Sequence, residues 1–93
     1  MSIKIEKKYY SNGAIKEIRS YKNNLRHQKW TYYYKNGNVH YEKNYKNGKL
    51  DGTRISYFEN GKISFQGGFK NNKRIGEWIY YDSDGNIIKK LKH

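Results

Sequence analysis

Ninety-three residues with 34% apolar content fit a single small domain that can bury only a modest core. Twenty Lys and Arg against eight Asp and Glu give a formal charge of +12, which favours acidic partners: an acidic protein, an anionic lipid surface or nucleic acid. There is no cysteine, which excludes disulfides and thiolate metal sites. No stretch approaches the ~20 apolar residues of a membrane helix, and Met1 to Tyr10 hold no apolar run of signal-peptide length, so a cytoplasmic location is expected.

The predicted elements follow one period. Strands over about residues 3–10 and 14–21 flank Asn12-Gly13, and a second turn follows at Asn23-Asn24. Strands over about 27–34 and 38–45 flank Asn36-Gly37, with the next turn at Asn47-Gly48. Strands over about 52–58 and 62–69 flank Asn60-Gly61, followed by Asn71-Asn72. The last pair, about 76–82 and 86–91, flanks Asp84-Gly85. Successive Asn-Gly or Asp-Gly turns lie 24 residues apart, as do Tyr9, Tyr33, Tyr57 and Tyr81, and Ile15, Val39, Ile63 and Ile87. Asn-Gly permits the positive φ angles of tight hairpins, and the Tyr-, Ile-, Phe- and Trp-rich runs between turns read as strands. The expected fold is all-β: a single-layer antiparallel β-meander of about eight strands built from repeated hairpins. Residues 1–93 form one domain, with repeats at about 9–32, 33–56 and 57–80 and a partial repeat at 81–93.

Parity predicts the faces. With a three-residue loop and glycine as a bulge, Tyr33 opposes Val39 and Thr31 opposes Tyr41. One face then collects Ile15, Tyr21, Tyr33, Val39, Tyr41, Tyr45, Ile55, Tyr57, Ile63, Phe65, Phe69, Ile79, Tyr81 and Ile87. Trp30, Tyr32, Trp78 and Tyr80 fall on the other, among Lys16, His40, Glu42, Ser64 and Gln66.

The segment Phe65-Gln66-Gly67-Gly68-Phe69-Lys70-Asn71-Asn72-Lys73-Arg74-Ile75-Gly76-Glu77-Trp78 resembles a MORN repeat: an aromatic, Gly, an aromatic, a Lys-Asn turn, and Gly opening the next strand. The Tyr57 to Ile63 block is similar to the 24-residue bacterial variant of that repeat, and the resemblance spans essentially the whole chain. It departs at Gln28 and Asn24, and Arg54 stands where neighbouring repeats carry Trp30 and Trp78. The resemblance implies an elongated sheet that mediates protein contacts, self-association and, in some members, contact with anionic lipid. Bacterial proteins of this kind are also similar to antitoxins of toxin–antitoxin pairs. Some phosphatidylinositol-phosphate kinases carry such repeats beside a catalytic domain, but this sequence holds neither a phosphate-cradling loop nor a kinase catalytic-loop motif.

No catalytic, cofactor-binding or metal-ligating residue is assigned, because His27, His40 and His93 lie on different segments without ligand partners and the carboxylates have no sheltered cleft. The candidate partner surface combines Tyr41, Tyr45, Phe65 and Phe69 with the basic turns, which carry Lys22 and Arg26, then Lys46 and Lys49, then Lys70, Lys73 and Arg74. Alternate turns of a meander share an edge, so these cations are expected to line one long side. Aromatic residues also stabilise a sheet by cross-strand packing, and lysines also protect turns and edges. The expected function is a non-enzymatic protein-interaction module, antitoxin-like, with anionic-membrane association as the alternative and nucleic-acid binding ranked below both. Open terminal strands also suggest a homodimer.

Overall fold

The computed structural model describes residues 2–93. Its strands are β1 (Ile3–Tyr9), β2 (Ile15–Lys22), β3 (Leu25–Arg26), β4 (Gln28–Tyr33), β5 (Val39–Lys46), β6 (Lys49–Leu50), β7 (Gly52–Tyr57), β8 (Ile63–Lys70), β9 (Lys73–Tyr81) and β10 (Ile87–Lys92). They form one antiparallel sheet in the order β1-β2-β4-β5-β7-β8-β9-β10, with the two-residue β3 and β6 pairing β2 and β5. Extents of 41 × 35 × 14 Å are those of one layer. The expected meander is therefore present, with two short extra strands next to the basic turns.

Two turn types alternate. In the long hairpins Gly37 N donates to Tyr34 O (3.0 Å) and Tyr34 N to Asn38 O (2.8 Å), closing a three-residue loop. Gly37 and Gly61 sit at φ 93° and 89°, as the parity argument requires, because that backbone region strains residues with a Cβ. In the short turns only two residues intervene: Lys46 pairs with Lys49 around Asn47 and Gly48, and Lys70 pairs with Lys73 around Asn71 and Asn72. All four intervening residues have positive φ, the signature of a type I′ turn, which asparagine tolerates better than other L-residues.

The face assignment needs correction. Tyr33 does oppose Val39, but Tyr32, not Thr31, opposes Tyr41, and Thr31 opposes Glu42. A second bulge at His40 absorbs one residue and inverts the parity of all that follows. The same shift recurs in every long hairpin, where Lys16, Ser64 and Ile88 take the place of His40. Tyr33, Val39, Ile55, Tyr57, Ile63, Ile79 and Tyr81 consequently lie on one face. Tyr21, Tyr41, Tyr45, Phe65 and Phe69 join Trp30, Tyr32, Trp78 and Tyr80 on the other, as their ring contacts show.

That second face, the tryptophan face, holds the core. Trp78, Trp30 and Tyr45 are its most buried apolar residues, at 2%, 4% and 8% exposure. Tyr21 and Tyr45 each lie 5.2 Å from the Trp30 ring, and Phe69 lies 5.2 Å from the Trp78 ring. Such pairs contribute about 0.5–1.5 kcal/mol each beyond area burial. The Trp30 indole donates to Ser20 O at 2.8 Å, so its polar atom is satisfied inside the stack. Trp78 closes over Gly67, where a Cβ would meet the indole at 2.1 Å. A Cβ at the neighbouring Gly68 would meet ordinary contacts of 3.6 Å and longer. Gly67→Ala should therefore destabilise by about 1–3 kcal/mol through overpacking, and Gly68→Ala by clearly less. Denaturant melts of the two variants check this, and equal effects would contradict the packing described.

Candidate functional site

The basic turns share one edge and are tied to one another. Gly48 N donates to Arg26 O (2.8 Å), and Asn72 N donates to Leu50 O (2.9 Å). Leu50 N in turn donates to Asn72 Oδ1 (2.8 Å). Lys46, Lys49, Lys70 and Lys73 are exposed there, while Lys22 is half-buried. Lys46 faces Lys49 and Lys70 faces Lys73 directly across their turns, whereas Lys22 faces Leu25. Like charges held opposite each other are mildly destabilising, so this row is kept at a cost to the isolated sheet. Arg74 departs from the row. It pairs with Phe69, and its guanidinium lies over the Trp78 ring, 5.0 Å from the centroid. The opposite edge carries the Asn-Gly loops, linked by Asn36 Nδ2 to Glu59 O (3.2 Å) and Asn60 Nδ2 to Ser83 O (3.0 Å).

The four aromatic candidates, Tyr41, Tyr45, Phe65 and Phe69, do share a face. Tyr45, however, is packed beneath neighbours, and Arg26 lies 5.6 Å from its ring centroid. It supports the surface rather than offering itself to a partner. Sequence parity does not place cations over this face, and turn alternation assigns Arg26 to the turn edge instead. Arg19 and Arg26 lie over Trp30 at 5.5 and 5.4 Å, Lys43 over Tyr41 at 5.3 Å, Arg54 over Tyr41 at 4.4 Å, and Lys89 over Tyr80 at 4.8 Å. Each contact contributes about 0.5–1 kcal/mol when exposed and more when desolvated. The signal that could have found them is the departure of Arg54 from the tryptophan spacing, once the bulge had set the register.

Electrostatics on this face are lopsided. Glu17, 3% exposed, pairs with Arg19 at 2.6 Å, and the pair raises the Arg19 guanidinium further above its usual range. Burial pushes the Tyr32 phenol well above its ordinary value, and neighbouring Glu17 acts in the same direction. Lys43 is lowered by burial first, then by Arg54 and Arg26. Arg54 is lowered by burial. Among the described residues, no group of three His, Asp or Glu side chains gathers as a metal site requires.

His40, the bulge residue, stacks on Tyr34 with ring centroids 4.2 Å apart. Burial, then the Arg54 charge, lowers its pKa from the ordinary 6.5. A base whose folded pKa is depressed binds fewer protons folded than unfolded, so stability rises with pH across that window. Melting temperature should fall as pH drops through 6.5 toward the lowered folded value, and His40→Phe should remove that part of the slope. Thermal melts of both proteins between about pH 7 and pH 5 check it; parallel curves would contradict the assignment to His40.

The MORN repeat variant family matches the chain four times, at residues 4–23, 26–47, 50–71 and 74–93. Each matched unit contains one Asn-Gly or Asp-Gly long hairpin, so the matched frame follows the structural repeat. No curated protein and no solved structure is significantly similar to the chain. Four matches spread over the full sheet, each on the same hairpin, show that the chain belongs to the MORN repeat variant family.

Proposed function

We propose that this MORN module is a non-enzymatic protein-interaction domain that acts in the cytoplasm on an acidic protein, in the manner of the antitoxin of a toxin–antitoxin pair. One observation carries the acidic-partner reading: of 20 Lys and Arg, ion pairs among the described residues occupy only Arg19 and Lys29. Many of the remaining cations lie on one turn edge and on the tryptophan face, where a complementary surface gains from many contacts at once. The open single layer supports a binding role over catalysis, since chemistry needs a sheltered, preorganised site. The basic edge equally suits an anionic membrane, at roughly 1 kcal/mol per basic residue near the surface. That alternative is separated by experiment.

The double variant Lys46→Glu/Lys70→Glu should keep the fold, because both are exposed strand ends facing a lysine across the turn. It should lose most of its capture of an acidic partner in affinity purification with mass spectrometry, and its binding should depend less on salt. Phe69→Ala should instead lower stability, by about 1–3 kcal/mol, because the half-buried ring loses its packing on Trp78. Sedimentation with phosphatidylserine vesicles and an oligonucleotide shift assay complete the set. Unchanged capture by the charge-reversed variant would reduce the edge to a solubilising one. Vesicle binding lost in that variant without any protein capture would favour the membrane alternative.

Self-association through the open edges belongs to the same reading: β10 of one copy against β1 of another forms a head-to-tail dimer that can extend further. Glu17 pairs with Tyr32 and Ile18 with Thr31 where neighbouring repeats meet. Extending that register by the repeat period sets Lys89 of one copy against Lys8 of the next, and Lys90 against Lys7. Salt should therefore promote this association, since the screening length falls from ~10 Å at 0.1 M to ~3 Å at 1 M. Light scattering at both salt levels reads the outcome, and an apparent mass that falls with salt would rule out this edge pairing.

A further inference from the structure

Across the tryptophan face one row runs through directly paired residues: Glu6 with Arg19, Trp30 with Lys43, Arg54 with Gly67, and Trp78 with Leu91. The pairing of Tyr41 with Ser56 and Glu42 with Ile55 stops there and resumes shifted by two residues where Asp51 N donates to Asn44 O. Lys43 and Arg54 flank this break in the ladder, both lying over the Tyr41 ring. Indoles therefore occupy the flanks of the row, and two cations stand side by side at its centre. Both are half-buried. The Arg54 guanidinium lies between rings, 4.4 Å from the Tyr41 centroid and 5.2 Å from that of Phe65. The Lys43 ammonium lies 5.3 Å from Tyr41 and 5.8 Å from Tyr32. Arg26 covers the adjoining Trp30 and Tyr45 at 5.4 and 5.6 Å.

These three cations are unlike Arg19 and Lys29, which hold carboxylates. Arg26, Lys43 and Arg54 enter no ion pair among the described residues, and the only hydrogen bond that Arg54 makes there runs from Nη1 to Ile55 O at 3.3 Å. A guanidinium has five N–H donors in a planar fork suited to a bidentate oxyanion. Holding a second cation over the same Tyr41 ring on the neighbouring strand destabilises the empty sheet by like-charge repulsion. Burial adds to that cost, and an incoming anion relieves both.

We propose that Lys43, Arg54 and Arg26 form an oxyanion site that takes a carboxylate side chain from an acidic protein segment lying across the tryptophan face. The assignment rests on the protein-interaction reading above and gives it a specific anchor. A protein carboxylate is favoured over a lipid headgroup because Lys43 and Arg54 are half-buried among the Tyr32, Tyr41 and Phe65 rings in the middle of a face, where a single flexible side chain reaches them more readily than a plane of headgroups. The rings lie close enough to pack against the methylenes of an entering Glu, and further cations at Arg74 and Lys89 lie along the same face for neighbouring carboxylates.

The test uses the full chain and a hexaglutamate peptide. Arg54→Trp restores the residue found at the equivalent positions of neighbouring repeats and removes the like-charge pair. It should fold at least as stably as the wild type and bind the peptide ~10–100-fold more weakly, the factor expected for losing a charged hydrogen-bonding group. In the wild type, titration should shift the Arg54 Nε–Hε resonance at sub-stoichiometric peptide, a readout that does not depend on any variant folding. Undiminished peptide affinity in folded Arg54→Trp, with an unshifted Arg54 resonance, overturns the site. If Lys46→Glu/Lys70→Glu then weakens the same peptide, the interaction reading survives without this anchor. If the wild type ignores the peptide but moves its Arg54 resonance on phosphatidylserine vesicles, both the anchor and the protein-interaction reading fail.

Discussion

One extra residue per long hairpin governs the rest of this molecule. A single-layer sheet has no second layer to bury against, so its stability depends on assembling all of its largest side chains on one side. Strict alternation from the Asn-Gly loops would divide them, with tryptophans on one face and most tyrosines and phenylalanines on the other. The bulges at Lys16, His40, Ser64 and Ile88 rotate the parity just after each loop. Trp30, Tyr32, Tyr41, Tyr45, Phe65, Phe69, Trp78 and Tyr80 then meet in a continuous stack. A bulge is a small local disruption of the ladder, whereas a divided aromatic set would leave both faces too thinly packed to stabilise a chain with 34% apolar residues.

The stack also explains how so basic a chain tolerates its charge. Cations rest on ring faces, where the π quadrupole partly compensates for lost water. Arg19 has a carboxylate besides. The central pair, Lys43 and Arg54, has rings but no carboxylate partner among the described residues. Packing, surface charge and candidate recognition are therefore one arrangement. The aromatic residues beneath, Tyr45 above all, hold the cations in place, and the cations are what an acidic partner would meet.

Much of this was legible in the sequence. The 24-residue spacing of Asn-Gly turns fixed the meander, and the need for positive φ at Gly37 and Gly61 identified the loop type. The second bulge was not legible, because no residue type marks it: Lys, His, Ser and Ile occupy its four positions. Missing it divided the aromatic residues and placed Trp30 and Trp78 opposite the face they in fact build. The basic row at Lys46, Lys49, Lys70 and Lys73 could be read from turn alternation alone, which no bulge disturbs. Arg74 could not, because its direction depends on pairing with Phe69 across the strand. Arg54 was visible as a departure from the repeat, but its meaning required knowing that Lys43 stands beside it.

The register after the second bulge is the claim on which both the core and the cation site rest. Nuclear Overhauser spectroscopy on the folded chain reads it directly. The Tyr32 and Tyr41 rings, with centroids 4.3 Å apart, should give strong mutual cross-peaks, and the Thr31 methyl should show contacts to the Glu42 side chain. Strong cross-peaks between the Thr31 methyl and the Tyr41 ring, with none between Tyr32 and Tyr41, would restore strict alternation and contradict the account.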